Sequence, residues 1–384
     1  MRAWGWMGGL CACLMAAGGA QATTTIDGVG DSLPQATYTQ EFSEFSSVTP
    51  SVLFSYQLST TAASIFLSDT SLQYGADEIP LSSTQALGYT RSATNGPLIQ
   101  IPMFGFAVAI PYTNAGLGRR QQLTDTSLCA IMSGAVTDWK QISKTSGPIA
   151  VMYRADADPT TYVLSQHFHA VCNAGNSAFG SYPVPITSQF STMFANGKVP
   201  AGFTAVSGAQ NMANALLATP LSMGYLTPDY TSAEPHSPHA TVLKVAGLVN
   251  AVNNISYAPN ASTTNLGLAN PGLGSTNTSP PSTKTAAINV LNWVPSVPVT
   301  NKGYPIVGYA DWLLVTCNGS TAIDQDMGSF LVDHYKNPTY KTIRTNSGFV
   351  NIPAAYYSAI HAVFLSNQRQ YGLNIGNSTT CPHG

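Results

Sequence analysis

Short apolar runs rich in β-branched and aromatic residues alternate with stretches of helical periodicity along most of this chain. The first kind is typical of buried strands and the second of amphipathic helices. Strands are predicted over residues 51–57, 73–81, 98–111, 149–153, 223–226 and 304–316. Helices are predicted over residues 123–132, 160–171, 208–217, 323–335 and 354–366, with a further one opening at 59–61. The alternation predicts an α/β fold, in which ligands bind at the carboxyl edge of a sheet.

One strand–turn–helix unit carries a single arginine at that edge. The strand 149–153 ends at Arg154, and Thr160 or Thr161 can cap the helix that follows. Because a helix N-terminus favours negative charge, this arrangement predicts an anion site at Arg154. The alternative is a surface turn with a solvated arginine.

Two other turns bring polar groups to strand ends. Ser32 is predicted to cap a helix with Pro34 in its first turn, which would direct the backbone N–H groups of Ser32 and Leu33 toward a ligand. The strand 73–81 carries two adjacent carboxylates, Asp77 and Glu78. These residues extend the predicted site beyond Arg154.

The composition is that of an exported protein with few charges. Only 8% of the residues are charged, against about 25% in ordinary globular domains. Lys and Arg (15) nearly balance Asp and Glu (17), which excludes a basic footprint for nucleic acid and a polybasic membrane patch.

The N-terminus predicts a signal peptide over residues 1–22. Arg2 precedes an apolar run, and Ala20-Gln21-Ala22 fits a cleavage site, so the mature chain would begin near Thr23. The run is too short and glycine-rich for a membrane span, and Cys11 or Cys13 would leave too little apolar sequence for a lipoprotein signal. The expected location is the periplasm or the secreted fraction.

Four cysteines would remain in the mature chain: Cys129, Cys172, Cys317 and Cys381. An even number in an oxidising compartment favours disulfides, with three possible connectivities. A metal site is the alternative, but no CxxC pair or zinc-type spacing supports it.

The order of these pieces resembles the phosphate-specific binding proteins of ABC importers, and most closely their DING-type relatives. That family begins with Asp-Ile-Asn-Gly and a Gly-Gly-Gly-Ala-Thr-Leu-Pro-Gln turn. The corresponding stretches here are 25–35, Gly75-Ala with Pro80-Leu-Ser82, 123–129, Ser133-Gly with Trp139, Arg154-Ala-Asp with Thr160-Thr161, Gly303-Tyr-Pro-Ile-Val-Gly308 and 374–377. The resemblance covers nearly the whole mature chain.

The resemblance implies a two-lobe periplasmic binding protein fold of type II, which closes over a small ligand in the cleft between the lobes. Lobe 1 would comprise residues 24–108 and 310–384, and lobe 2 residues 109–309, with crossings near 108–111 and 305–309. It also implies the sequential disulfides Cys129–Cys172 and Cys317–Cys381, one in each lobe.

The family's ligand shell carries over in part. The positions that match it are Ser32, Leu33, Ser59, Glu78, Arg154 and Thr160. Glu78 falls on the carboxylate that accepts the proton of hydrogen phosphate in the family.

Three positions depart from the family pattern. Asp77 stands where serine is usual, and in the motif Arg-x-Asp-x-Ser-Gly-Thr the serine and glycine have become Asp158 and Pro159. Proline has no N–H to donate, which costs on the order of 1.5–3 kcal/mol for a bond to a charged group. An ionised Asp158 about 4 Å from the anion would repel it by roughly 4 kcal/mol at an effective dielectric near 20. We therefore expect no tight phosphate binding.

These observations favour a solute-binding protein without catalysis or cofactor, expected to be a monomer, with an ABC permease as a candidate partner. Its ligand would be an oxyanion or another small solute whose donors satisfy Asp77, Glu78 and Asp158. One alternative is a phosphatase, as linked with some DING-type proteins, although no Gly-x-Ser-x-Gly or His-Glu-x-x-His motif is present. Another is a surface or secretion-linked interaction module that kept the fold.

A metal cluster is a further alternative for the same part of the sequence. Asp156 and Asp158 lie near His167 and His169, but the two histidines are two positions apart and point to different helix faces. A structural role for them is favoured.

Overall fold

The computed structural model describes residues 23–117 and 120–381. The predicted signal peptide 1–22 lies outside the described residues. The strands are β1 Thr24–Gly30, β2 Val52–Leu58, β3 Tyr74–Asp77, β4 Leu98–Ala107, β5 Pro111–Tyr112, β6 Gln122–Leu123, β7 Ala150–Arg154, β8 Thr204–Val206, β9 Ser222–Met223, β10 Lys244–Val245, β11 Gly247–Val249, β12 Ser256–Tyr257, β13 Val307–Val315 and β14 Val350–Asn351. The helices are α1 Gln35–Val48, α2 Ala62–Ser68, α3 Ser83–Leu87, α4 Ser92–Asn95, α5 Asp125–Met132, α6 Pro159–Val171, α7 Ala209–Ala218, α8 Ala261–Leu268, α9 Lys284–Ile288, α10 Thr321–Lys336, α11 Pro338–Asn346 and α12 Ala354–Ile360.

The first lobe is built on a six-stranded sheet in the order β14-β4-β13-β3-β1-β2. Strand β1 runs parallel to β2 and β3, whereas β13 is antiparallel to β3 and β4. Helices α1 and α10 supply aromatic side chains to the core on this sheet, where Phe42 stacks on Phe54 and Phe330 on Trp312. Because β4 and β13 are buried along almost their whole length, they appear in the sequence as continuous apolar runs.

The second lobe holds a five-stranded sheet in the order β10-β5-β9-β7-β8 and a small sheet β12-β11-β6. Strand β7, which ends at Arg154, is parallel to β8 and β9. The chain passes between the lobes twice, and the crossings pair where the Val108 N–H donates to the Ile306 carbonyl at 3.0 Å. The Tyr304 hydroxyl also donates to the Val108 carbonyl at 2.9 Å. The predicted two-lobe α/β fold is confirmed, while its exact limits at 108/109 and 309/310 stay a prediction.

A buried ionic network ties three helices of the first lobe together. Both carboxylate oxygens of Glu41 on α1 are paired at 2.6 Å, one with His334 on α10 and the other with Arg344 on α11. All three side chains are at most 1% exposed, and Arg344 also donates to Asn351. Since its members satisfy one another, we assign this network to helix packing.

The segment 259–281, which its polar composition predicts to be a long exposed loop, is only partly irregular. Its first half forms α8, which Asn260 begins with a reciprocal capping box to Thr263. Gly267 lets this helix pack closely on the crossing segment, since an added Cβ there would lie 2.6 Å from the Tyr304 carbonyl oxygen. The loop prediction was wrong for these residues because asparagine, serine and threonine also serve as helix caps.

The structure contains the disulfides Cys129–Cys172 and Cys317–Cys381. The first links α5 to the end of α6, and the second ties the end of β13 to the C-terminal segment. We expect peptide mapping under non-reducing conditions to recover these two linked pairs and no other. Free thiols in the mature protein, or any crossed pair, would contradict this assignment.

Within residues 23–117 and 120–381, no helix combines the length and the apolar character needed to cross a membrane.

Candidate functional site

The candidate site lies where the carboxyl edges of the two main sheets face each other. Asp31 follows β1, Asp77 ends β3 with Glu78 directly after it, and Arg154 ends β7. Asp31 is close enough to both Asp158 and Arg154 for their charges to act on its pKa, although they belong to the other lobe. The structure thus brings carboxylates of the first lobe up to the arginine of the second.

Arg154 is fully engaged by carboxylates of its own turn. Its guanidinium forms a two-point contact with Asp156, at 2.9 Å from Nε and 2.5 Å from Nη2, and its Nη1 lies 2.5 Å from Asp158 Oδ2. Only 2% of the arginine side chain is exposed. Burial alone would lower its pKa, but Asp158 and Asp156 raise the pKa above its ordinary value. This arginine is a buried cation whose charge is already compensated.

Asp158, not Thr160 or Thr161, is the N-cap of α6, which corrects the predicted helix start. Its Oδ1 accepts hydrogen bonds from the backbone N–H groups of Thr160 (2.9 Å) and Thr161 (3.3 Å) and from the Thr160 hydroxyl. Pro159 occupies the first helical position, where a missing N–H breaks no helical bond. The Asp158 carboxylate therefore lies between Arg154 and the start of α6, and it takes the donors that would otherwise hold an anion.

Two carboxylates of the first lobe, Asp31 and Asp77, also accept hydrogen bonds from backbone N–H groups. The Leu33 N–H donates to Asp31 Oδ1 at 2.9 Å, and Asp77 accepts from the N–H groups of Ile79 (2.9 Å) and of Ala63 in the first turn of α2. Sequence reasoning missed Asp31, although the signal was present: it stands where the family turn has alanine. At three turns of the candidate site, an internal carboxylate accepts the hydrogen bonds of the backbone N–H groups.

Glu78 and Asp311 add two deeply buried acids with little compensation. Neither oxygen of either carboxyl group has a donor among the described residues, although Glu78 and Asp31 are close enough to share a proton. Asp311 on β13 pairs directly across from Asp77 on β3. It was missed because it is a lone aspartate inside the apolar run 304–316, a pattern that could have identified it.

The cluster holds its protons strongly. Burial raises the pKa of Asp31 to about 6, and burial together with the nearby Asp31 raises the pKa of Asp77 to about 7. Burial, followed by the neighbouring acids, raises the pKa of Glu78 and of Asp311 well above their ordinary values. Burial also raises the pKa of Asp158, against the opposing effect of Arg154. The site therefore consists of carboxyl groups that tend to stay protonated, together with one arginine whose charge is already compensated.

The two serine residues predicted as ligands, Ser32 and Ser59, contribute less to this hydrogen-bonding network. Ser32 is exposed and does not cap α1, which begins at Gln35 after Pro34. This corrects the predicted cap, because the Asp31 side chain organises the turn instead. Ser59 follows β2, and its hydroxyl accepts from the Thr61 N–H at 3.1 Å.

The alternative metal cluster does not assemble. His167 bonds to Asp125 and to the Pro298 carbonyl, and His169 bonds to the Val184 carbonyl. Asp156 and Asp158 are instead directed to Arg154. Among the residues that the structure describes, no group of three or more His, Cys, Asp or Glu side chains could hold a metal ion.

Comparison with known proteins places these features in a family. The family model described as "PBP superfamily domain" matches residues 16–288. A curated relative, alkaline phosphatase L of Pseudomonas aeruginosa (strain UCBPP-PA14), is 30% identical over 301 residues, which covers 74% of this chain and 71% of the relative. A protein named phosphate-binding protein, from an unknown prokaryotic organism, is 27% identical over 395 residues, covering 93% and 98% of the two chains.

Solved structures show the same similarity. One similar structure is that of a high-affinity periplasmic phosphate-binding protein (PfluDING) bound with phosphate. It superposes with a TM-score of 0.77 at 27% identity and covers 94% of this chain and 98% of its own. A phosphate-binding protein from Stenotrophomonas maltophilia superposes with a TM-score of 0.75 at 24% identity over 94% and 99% of the two chains, which shows the fold alone. The proteins similar to this chain include a DING-type phosphate-binding protein. Because the family model matches most of its length, the chain belongs to the PBP superfamily.

Proposed function

We propose that this chain is an exported solute-binding protein whose cleft takes a small ligand that donates hydrogen bonds, in place of phosphate. The observation that carries the proposal is the position of Asp158. Its carboxylate bonds both to the Arg154 guanidinium and to the first N–H groups of α6. Those are the positive charge and the donors that an anion would need.

The charges around this pair support the same conclusion. Asp156 and Asp158 together outweigh the single positive charge of Arg154, and Asp31 is close enough to act on the same charge. Asp77 and Glu78 lie near Asp31. A phosphate dianion would enter a site with no uncompensated cation among the described residues. The unpaired carboxyl oxygens of Glu78 instead favour a ligand that brings N–H or O–H groups.

We expect inorganic phosphate to leave the melting temperature of the mature protein unchanged at pH 8, whereas a donor-rich solute raises it. Probes are phosphate, arsenate and sulfate on one side, and putrescine, guanidinium and myo-inositol on the other. A ligand at about 100 times its Kd adds about 2.7 kcal/mol to stability, so binding is visible in a thermal melt. Micromolar binding of phosphate at pH 8 would contradict the proposal.

A phosphatase is the second candidate, because the relatives at 29–30% identity are named alkaline phosphatase L. The test is hydrolysis of p-nitrophenyl phosphate by the purified mature protein, with Arg154→Ala prepared in parallel. Turnover that disappears in this variant would support an enzyme, since a contaminating phosphatase would be unaffected. Equal rates in the two preparations would count against it.

Delivery of the solute to an ABC permease is part of the same proposal. Its support is the resemblance to binding proteins of importers. Pull-down of a membrane permease by the liganded mature protein, and not by the unliganded protein, is the expected outcome.

A further inference from the structure

A second cavity lies between the two lobes, apart from the carboxylate cluster. It encloses about 900 Å³ and is lined by residues from the turn before α3, from β4, from α6 and from the segment 273–299. None of Asp31, Asp77, Glu78, Arg154 or Asp158 lines it. Its volume falls in the range of about 300–1,000 Å³ that is usual for small-molecule sites.

The chemistry of the cavity is opposite to that of the candidate site. Among the described residues, no Asp, Glu, Lys or Arg side chain lines it. Most of its surface is apolar, although nearly half of the lining residues are polar; Leu81, Ile186, Leu291, Val294 and Val299 are among the aliphatic ones. A charged ligand would lose its hydration there and would meet no carboxylate, ammonium or guanidinium group, which is costly. The imidazole in the lining, His169, already bonds through Nδ1 to the Val184 carbonyl at 2.7 Å.

The wall also holds a small group of neutral polar side chains. Gln100 on β4 is 1% exposed; its Oε1 accepts from the Leu81 N–H at 3.0 Å, while its Nε2 has no partner among the described residues. On the facing helix α6, Gln166 donates to Ser296 Oγ at 3.2 Å and is hydrogen-bonded with Tyr162. The Gln100 Nε2 has almost no accessible surface, so a molecule in the cavity would meet this polar group at Gln166 and Ser296, which also line the wall.

The rim of the cavity is apolar and open to solvent. Leu273 is 90% exposed and Ile186 is 47% exposed, and both line the cavity. A molecule that fills the cavity would cover them. The rim therefore fits the entry of an apolar body, with the neutral polar group at the buried end.

We propose that this cavity binds an uncharged, largely apolar small molecule that presents one hydrogen-bonding group to Gln166 and Ser296, such as a medium-chain alcohol or ester. This inference is independent of the ligand proposed for the carboxylate cluster. Because both lobes line the cavity, its occupant would hold them together from a place outside that cluster.

The test uses the mature protein and the uncharged fluorescent probe N-phenyl-1-naphthylamine. We expect saturable binding of one probe per chain and displacement by 1-dodecanol. At pH 8, dodecanoate and dodecylamine should displace it at least about tenfold less well, a difference of about 1.4 kcal/mol. Dodecanoate and dodecylamine have the same alkyl chain as 1-dodecanol, so the difference in displacement measures the cost of placing a charge in a cavity without a counter-charge.

Two variants locate the site without disturbing the fold. Ala170 lines the cavity from α6 and is exposed, so Ala170→Trp should fill it and weaken probe binding by about tenfold or more. Leu273→Asp places a charge on the rim and should also weaken binding. The matched control is Val242→Asp, at a residue that is 82% exposed and outside the cavity lining, which should bind as the native protein does.

Three results would overturn the proposal: no saturable probe binding by the native protein, equal binding in Ala170→Trp, or dodecanoate competing as well as 1-dodecanol. Melting temperatures of the variants are measured alongside, and we expect them to stay close to the native value because the altered positions are exposed. If Ala170→Trp nevertheless fails to fold, Leu273→Asp decides the location.

Discussion

The double variant Asp158→Ser, Pro159→Gly is expected to bind inorganic phosphate with micromolar affinity at pH 8, at least about a hundredfold more tightly than the native protein. In the native protein the Asp158 carboxylate is bonded to Arg154 and to the first N–H groups of α6. Serine removes that charge and still caps a helix. Glycine at position 159 adds one N–H, which is worth on the order of 1.5–3 kcal/mol when it bonds to a charged group.

Calorimetry on the purified mature variants measures this gain. Arg154→Ala in the same background should abolish it, because no other lysine or arginine is paired with the carboxylates of the cluster in the described chain. Adding Asp31→Ala should strengthen phosphate binding further, since it frees the Leu33 N–H. The matched control is Asp138→Ser: Asp138 also caps a short helical turn but lies outside the cluster, so this change should give no phosphate binding.

A double variant that still fails to bind phosphate would show that Asp158 is not what excludes it. The melting temperature distinguishes this outcome from misfolding. If the double variant melts well below the native protein, Asp158→Ser alone is tested, because it keeps Pro159 in the first turn of α6.

The second large effect is a loss of stability as the pH rises from 5 to 8. The pKa of Asp31 is raised to about 6 and that of Asp77 to about 7, above the ordinary value of 3.8. Between about pH 4 and pH 7 the unfolded chain therefore binds fewer protons at these positions than the folded chain does. Stability must then fall with rising pH. Asp229, whose pKa burial raises to about 7, contributes in the same direction.

We expect the melting temperature to fall by roughly 5–10 °C over this range, since one pKa unit corresponds to about 1.4 kcal/mol and several buried acids contribute. Asp77→Asn should flatten the profile and stabilise the protein at pH 8, because the amide oxygen still accepts from the Ile79 N–H and carries no charge. Asp69→Asn is the matched control. Asp69 lies outside the cluster, and the Ser71 hydroxyl lowers its pKa, so this change should leave the slope unaltered.

A melting temperature that is constant from pH 5 to 8, or one that rises, would contradict the assignment of raised pKa values to this cluster. A shallower profile in Asp77→Asn than in the native protein, together with an unchanged one in Asp69→Asn, would support it. The result also bears on ligand binding, because protonated carboxyl groups donate where ionised ones only accept. We expect no phosphate binding by the native protein at pH 8, and any such binding should therefore be most favourable at the acid end of this range.

The local sequence was sufficient for the elements that carry the fold. Continuous apolar runs identified β4 and β13, and the strand–turn–helix pattern placed Arg154 at a strand end followed by α6, because these features depend on residues close in sequence. Family resemblance added the two-lobe arrangement and the departures at Asp158 and Pro159.

Helix starts were less well predicted. Threonine at 160 or 161 was expected to cap α6, but the cap is Asp158. Serine, threonine and aspartate are all good caps, and only the backbone conformation decides between neighbours in sequence. The helix α8 was missed for a similar reason, since its polar residues are equally typical of loops.

The direction of the charged side chains was decided by the folded structure. The sequence shows Arg154 with Asp156 and Asp158 nearby, yet whether the guanidinium faces an incoming anion or its own carboxylates depends on side-chain directions across the turn. Asp31 and Asp311 entered the site only when the sheet edges met, because they are far from Arg154 in sequence. Their raised pKa values likewise follow from burial between packed elements, which no local pattern encodes. The sequence by itself determined most of the strands and helices and placed Arg154 at a strand end with Asp156 and Asp158 close by. The folded turn decided that these three side chains pair with one another, and the packing of the two lobes brought Asp31 up to them.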